Sequence, residues 1–134
     1  MRLAIVDDNY ERKCKQIINI LKREQIDFEA FKSINSFLQT IHTKPDAYQG
    51  FFLDMQLPQS DEQSEVVRDG GEIILKNLNY YNIQIPFILN TTMLMSKEKL
   101  NGFLYKNMYA HIVGLGTRYE IEVIYSFIRK LSEN

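Results

Sequence analysis

The chain has 134 residues, 45% of them hydrophobic, which is the size and the material of one domain with a sizeable core. Charged residues make up 25% and the formal net charge is −1, so composition points to neither a nucleic-acid-binding nor a membrane-binding surface. The single cysteine, Cys14, excludes an internal disulfide, and the apolar run Leu3 to Val6 is too short for a signal peptide or a membrane span; both fit a cytoplasmic protein.

Leu3-Ala4-Ile5-Val6 is continuous apolar sequence ending in Asp7-Asp8. Continuous runs suit a parallel strand covered on both faces. Cys14, Ile17, Ile18 and Leu21 then follow helical spacing. Phe28, Ala30 and Phe31 predict a second strand, and Ile34, Phe37, Leu38 and Ile41 a second helix. Phe51-Phe52-Leu53 is a third strand closed by Asp54, with Pro58 soon after. Gln59 to Gly71 is polar, and helical spacing resumes at Ile74, Leu75 and Leu78. Pro86 to Leu89 predicts a fourth strand running into Asn90-Thr91-Thr92. A helix is expected around Leu100, Phe103 and Leu104, and a fifth strand from Tyr109 to Val113, before Gly114 and Gly116. Ile124, Phe127, Ile128 and Leu131 mark a last amphipathic helix.

Five alternations of strand and helix predict an α/β fold: a doubly wound, five-stranded parallel sheet with helices on both faces, in a single domain over 1–134. Ligands in such folds bind beyond the carboxyl ends of the strands. Those ends carry Asp7 and Asp8, then Asp54, then Thr91 and Thr92. Three carboxylates in one cleft repel one another unless a cation joins them, and an oxygen-only set suits Mg²⁺. A carboxylate beside such a cation can attack phosphorus and become an aspartyl phosphate.

With these residues in place, the chain resembles the receiver domain of bacterial response regulators. The resemblance rests on "LAIVDDN", "FFLDMQLP", "DGGEIIL" and "IPFILNTT", in that order, and spans essentially the whole chain. It implies a flavodoxin-like strand order 2-1-3-4-5. It implies Asp54 as phosphoacceptor, a Mg²⁺ ion held by Asp7, Asp8, Asp54 and the backbone carbonyl of Gln56, and Thr91 as the switch hydroxyl. It further implies a two-component signalling role rather than an enzyme's: phosphorylation by a histidine kinase or a phosphotransfer protein, then altered contacts with a downstream protein target or in a homodimer, with no direct contact to nucleic acid or membrane. The chain departs from the family at the end of the fifth strand. The family's lysine and following proline are missing from "HIVGLGTR", where Leu115 or Gly116 takes the place, with Arg118 close by. Ile112 takes the place of the family's mobile aromatic, with His111 beside it, and Thr92 follows the switch residue. Slow phosphorylation is the expectation without that lysine.

Plainer readings exist for each residue. Asp8 and Glu11 have capping-box spacing. Asp54 could open a turn ahead of Pro58, and Thr91 could satisfy a loop amide. Cys14 lies in an apolar stripe and reads as core, and His42 and His111 form no zinc cluster. Gly70-Gly71 lacks a full nucleotide-loop fingerprint. A pseudo-receiver, kept as an interaction module without phosphorylation, is the main alternative function. A haloacid-dehalogenase-type phosphatase fits less well, because position 56 holds glutamine where those enzymes place a second aspartate. The stretch between Pro58 and Asp69 exceeds the roughly two to six residues of an ordinary connection. It is expected to act as a lid or a partner-recognition loop, or else to be an idle insertion.

Overall fold

In the computed structural model, which describes residues 1–133, the five predicted strands are β1 (Arg2–Val6), β2 (Asp27–Phe31), β3 (Gly50–Leu53), β4 (Phe87–Asn90) and β5 (Met108–Ile112). They form one all-parallel sheet in the order β2-β1-β3-β4-β5, the doubly wound arrangement expected. Side chains alternate across it, as the pleat requires. Ala4, Val6, Phe51, Leu53 and Phe87 face one fully buried core, and Leu3, Ile5, Phe52 and Ile88 face the other. That double coverage is why the strands read as unbroken apolar runs.

The first core is closed by α3 (Ile34–Thr43) and α4 (Gly70–Tyr80), through Ile34, Phe37, Ile41, Ile74 and Leu78. The second is closed by α2 (Lys15–Arg23) and α6 (Arg118–Ser132), through Ile17, Leu21, Ile124, Phe127 and Leu131. Burying each such side chain contributes about 1.5–3 kcal/mol relative to exposure. Ser33 caps α3 and Thr117 caps α6, each side chain accepting the amide three residues on at 3.2 Å. Among the described residues no helix is long and apolar enough to cross a membrane.

The elements differ from expectation in four details. The first helix is broken: α1 (Tyr10–Lys13) stops at Cys14, which leaves helical geometry at φ −107°, ψ 21° before α2 begins. The capping box is not formed, because Asn9 is the N-cap and no side chain caps α1. The helix around Leu100 to Leu104 is instead a single turn, α5 (Lys97–Leu100), and a 3₁₀ turn (Phe103–Tyr105), divided at Asn101-Gly102. The polar stretch after Pro58 is not structureless. Leu57–Pro58 pairs antiparallel with Val66–Val67, Asp61 accepts the Ser33 hydroxyl at 2.6 Å, and Gln59 bonds Asn35 through both carbonyl and side chain.

Register aligns the strand ends. Val6 lies opposite Leu53, Leu53 opposite Leu89, and Asn90 opposite Ile112. One residue further on, the chain is still tied to the sheet: Asp7 N–H donates to Phe31 O (2.9 Å), Asp54 N–H to Val6 O (3.0 Å) and Thr91 N–H to Ile112 O (3.1 Å). The site residues therefore start from backbone fixed by the ladder itself.

Candidate phosphoacceptor site

The sheet gathers Asp7, Asp8 and Asp54 as expected. One oxygen from each lies within 4.8 Å of the others. Asp7 and Asp54 are buried, at 2% and 4% exposure, whereas the Asp8 side chain is 31% exposed. Burial pushes the Asp7 carboxyl up, against the Asn9 N–H, which donates to Oδ1 at 2.8 Å, and against the Lys13 ammonium. Such an oxygen-only set, with one ligand open to solvent, fits a hard divalent cation. Gln56 lies on the same rim: its N–H is 3.4 Å from Asp54 Oδ1, and it lines an opening shared with Asp8, Val66 and Arg68.

Close approach shapes the loop after Asp54. Gly71 N–H donates to Met55 O at 2.8 Å, and a Cβ on Gly71 would stand 2.8 Å from Asp54 O and 3.0 Å from Met55 Cα. The glycines of "DGG" thus serve close contact between α4 and the chain from Asp54 to Leu57.

On the other side of Asp54 is a cavity of about 220 Å³ walled by Asp7, Lys13, Thr91, Thr92 and Leu115. Thr91 is buried, and its hydroxyl accepts the Met93 N–H at 3.2 Å, so the plain loop-amide role is met in the same wall. Leu115 is 74% exposed, and neither it nor Gly116 brings charge to the site. Arg118 does not stand in for the missing lysine: it is 94% exposed and pairs with Glu122 one turn along α6.

The cation comes from elsewhere. Lys13, the last residue of α1, places Nζ 2.6 Å from Asp54 Oδ2, 3.3 Å from Asp7 Oδ1 and 3.6 Å from Asp8 Oδ1. Burial alone would lower its pKa, but the hydrogen bond to Asp54 and the charges of Asp54 and Asp7 outweigh this and raise it. Cys14 is buried as core, its S–H 3.6 Å from Asp7 Oδ2, while Asn90 Nδ2 lies 3.7 Å from the sulfur. Burial and then the Asp7 charge push the thiol up, which leaves it a poor nucleophile.

Sequence reasoning also missed Glu120. It is buried, and its carboxylate accepts the N–H groups of Val113 (3.0 Å) and Gly116 (2.9 Å). Gly114 and Gly116 have φ of +77° and +68°, the left-handed turn that aims those amides at one carboxylate. The capping spacing of Thr117 and Glu120 was the available signal.

A doubly wound sheet of this order, with acids ending β1 and β3 and a hydroxyl ending β4, is the receiver-domain fold. Solved structures agree. The chain is similar to a two-component response regulator from Clostridium difficile (16% identity, 100% of this chain and 97% of that one, TM-score 0.70). It is similar to a CheY-like response regulator receiver domain protein from Methanospirillum hungatei (20% identity, 98% and 94%, TM-score 0.69). It is also similar to the response regulator protein TrrA from Thermotoga maritima in complex with Mg²⁺ and BeF (14% identity, 97% of each chain, TM-score 0.66). No family model matches the sequence, and no curated protein matches it.

Proposed function

We propose that the chain is a phosphoacceptor receiver domain of a two-component system, modified on Asp54. The observation that carries this reading is the convergence of Asp7, Asp8 and Asp54 at aligned strand ends, beside a cavity bounded by Thr91. Asp7, Asp8, Asp54 and the Gln56 carbonyl would hold Mg²⁺, whose chemistry there is to shield phosphoryl oxygens from the surrounding carboxylates. Asp54 forms an O–P bond as the donor's P–N or P–O bond breaks, and the donor leaves with that electron pair. The Thr91 hydroxyl, whose oxygen accepts the Met93 N–H, then donates its own proton to a phosphoryl oxygen, and its loop shifts toward Asp54.

On this reading the donor is a histidine kinase, a phosphotransfer protein or a small acyl phosphate, and the output is a changed contact with a downstream protein or a second copy of the chain. The fold of its neighbours supports a regulatory role, not turnover of a substrate. Intact mass after incubation with acetyl phosphate and Mg²⁺ tests it. One phosphate should add to the wild type and none to Asp54→Asn. A folded wild type that stays unmodified, with this donor and with phosphorylated kinase, points instead to a pseudo-receiver.

A further inference from the structure

Lys13 contacts all three carboxylates at once, through a single ammonium on a four-carbon stem. That places it in the space that a divalent cation would need, since the same three carboxylates define both sites. Two cations drawn to carboxylates this close together repel each other strongly, so each weakens the other's hold. Lys13 also borders both openings of the site: the one with Asp8, Gln56 and Arg68, and the cavity with Thr91 and Leu115. Its side chain is 41% exposed, which leaves the stem an open side toward solvent. The end of β4 and the loops after β4 and β5 bring only Asn90, Thr91, Thr92, Val113, Gly114 and Leu115 to that cavity, all uncharged; its two cations, Arg12 and Lys13, both come from α1, and it is Lys13 that pairs with the acids.

We propose that Lys13 is a built-in counter-ion that trades places with a divalent cation and then pairs with the anion on Asp54. In the resting site its ammonium neutralises the acids. As the cation enters, the stem turns and the ammonium moves into the cavity wall beside Thr91, where it meets a phosphoryl group. The charge that this fold otherwise draws from the fifth strand thus comes from α1. This rests on the phosphoacceptor reading only for its second half.

The test is Lys13→Met, with Lys13→Gln as a second variant should the first fold poorly. Mn²⁺ binding is followed by the electron paramagnetic resonance of the free ion, and beryllofluoride binding in saturating Mg²⁺ by calorimetry. Without the competing ammonium, Mn²⁺ should bind about tenfold tighter or more. Beryllofluoride, an analogue of the phosphoryl group, should bind about tenfold weaker. Unchanged or weaker Mn²⁺ binding in both variants overturns the exchange. Tighter Mn²⁺ with unchanged beryllofluoride overturns the pairing with the anion. A wild type that binds no beryllofluoride removes the phosphoacceptor reading and the pairing with it, while the Mn²⁺ comparison still decides the exchange.

Discussion

The two halves of the site are built differently. The loops after β1 and β3 bring three carboxylates and, through α1, the lysine that ties them together. The loops after β4 and β5 bring no charge to the cavity and are held by backbone amides, through the Thr91 hydroxyl and the Glu120 carboxylate. The contrast teaches that in this chain ion chemistry belongs to the first half of the sheet. The second half supplies shape and a buried hydroxyl.

Three changes sharpen or break that contrast. The largest effect is expected at Gly71, where added atoms first meet the backbone of Asp54 and Met55. Gly71→Val should cost about 3 kcal/mol in urea unfolding and should weaken divalent-cation binding, because Asp54 is carried on the displaced loop. Normal cation binding in a folded Gly71→Val protein would break the link between α4 and the charged half.

Glu120→Ala comes next. It strands two amides in a partly buried loop, at a cost of about 2 kcal/mol. Divalent-cation binding should stay as in the wild type, because Glu120 serves only the β5 loop. A matching loss of cation affinity would show that the two halves are not separate.

The smallest effect concerns pH. Burial works against ionisation of Glu72, but hydrogen bonds from Lys99 and Tyr105 prevail and hold its carboxyl below the ordinary 4.5. A lowered folded-state pKa means stability that is present above 4.5 and lost as pH falls through the folded value. Lys99 is 39% exposed, so solvent screens the pair, and the gain is about 0.5 kcal/mol. Urea midpoints at neutral and acid pH should therefore fall slightly less steeply in Glu72→Gln than in the wild type. A steeper fall would show that the tie between α4 and the 97–105 segment is not what stabilises the second half.

Most of the fold was legible because buried parallel strands leave an unmistakable trace. Leu3 to Val6, Phe51 to Leu53 and Phe87 to Leu89 are apolar on both faces, and the acids stand out where those runs end. Aligned register then brings Asp7 and Asp54 together without further help from the sequence. Lys13 was not legible, since its reach depends on α1 ending at Cys14 and on a long side chain crossing a cleft. A search for lysine near Leu115 looks along the chain, whereas the charge arrives through space. The short α5 also escaped: Leu100, Phe103 and Leu104 have helical spacing, but Asn101-Gly102 ends the turn between them. The hairpin after Pro58 depends on Ser33 and Asn35, more than twenty residues away in sequence.

The ladder bonds at Asp7, Asp54 and Thr91 have one more consequence. Ordering a loop around a ligand costs roughly 1–2 kcal/mol of backbone freedom per residue. Here that freedom is already spent in folding, because each of these amides is bonded to the neighbouring strand at 2.9–3.1 Å. A ligand held by Asp7 and Asp54 would therefore restrict side-chain rotamers alone, so a small ion would suffice to order the two acids.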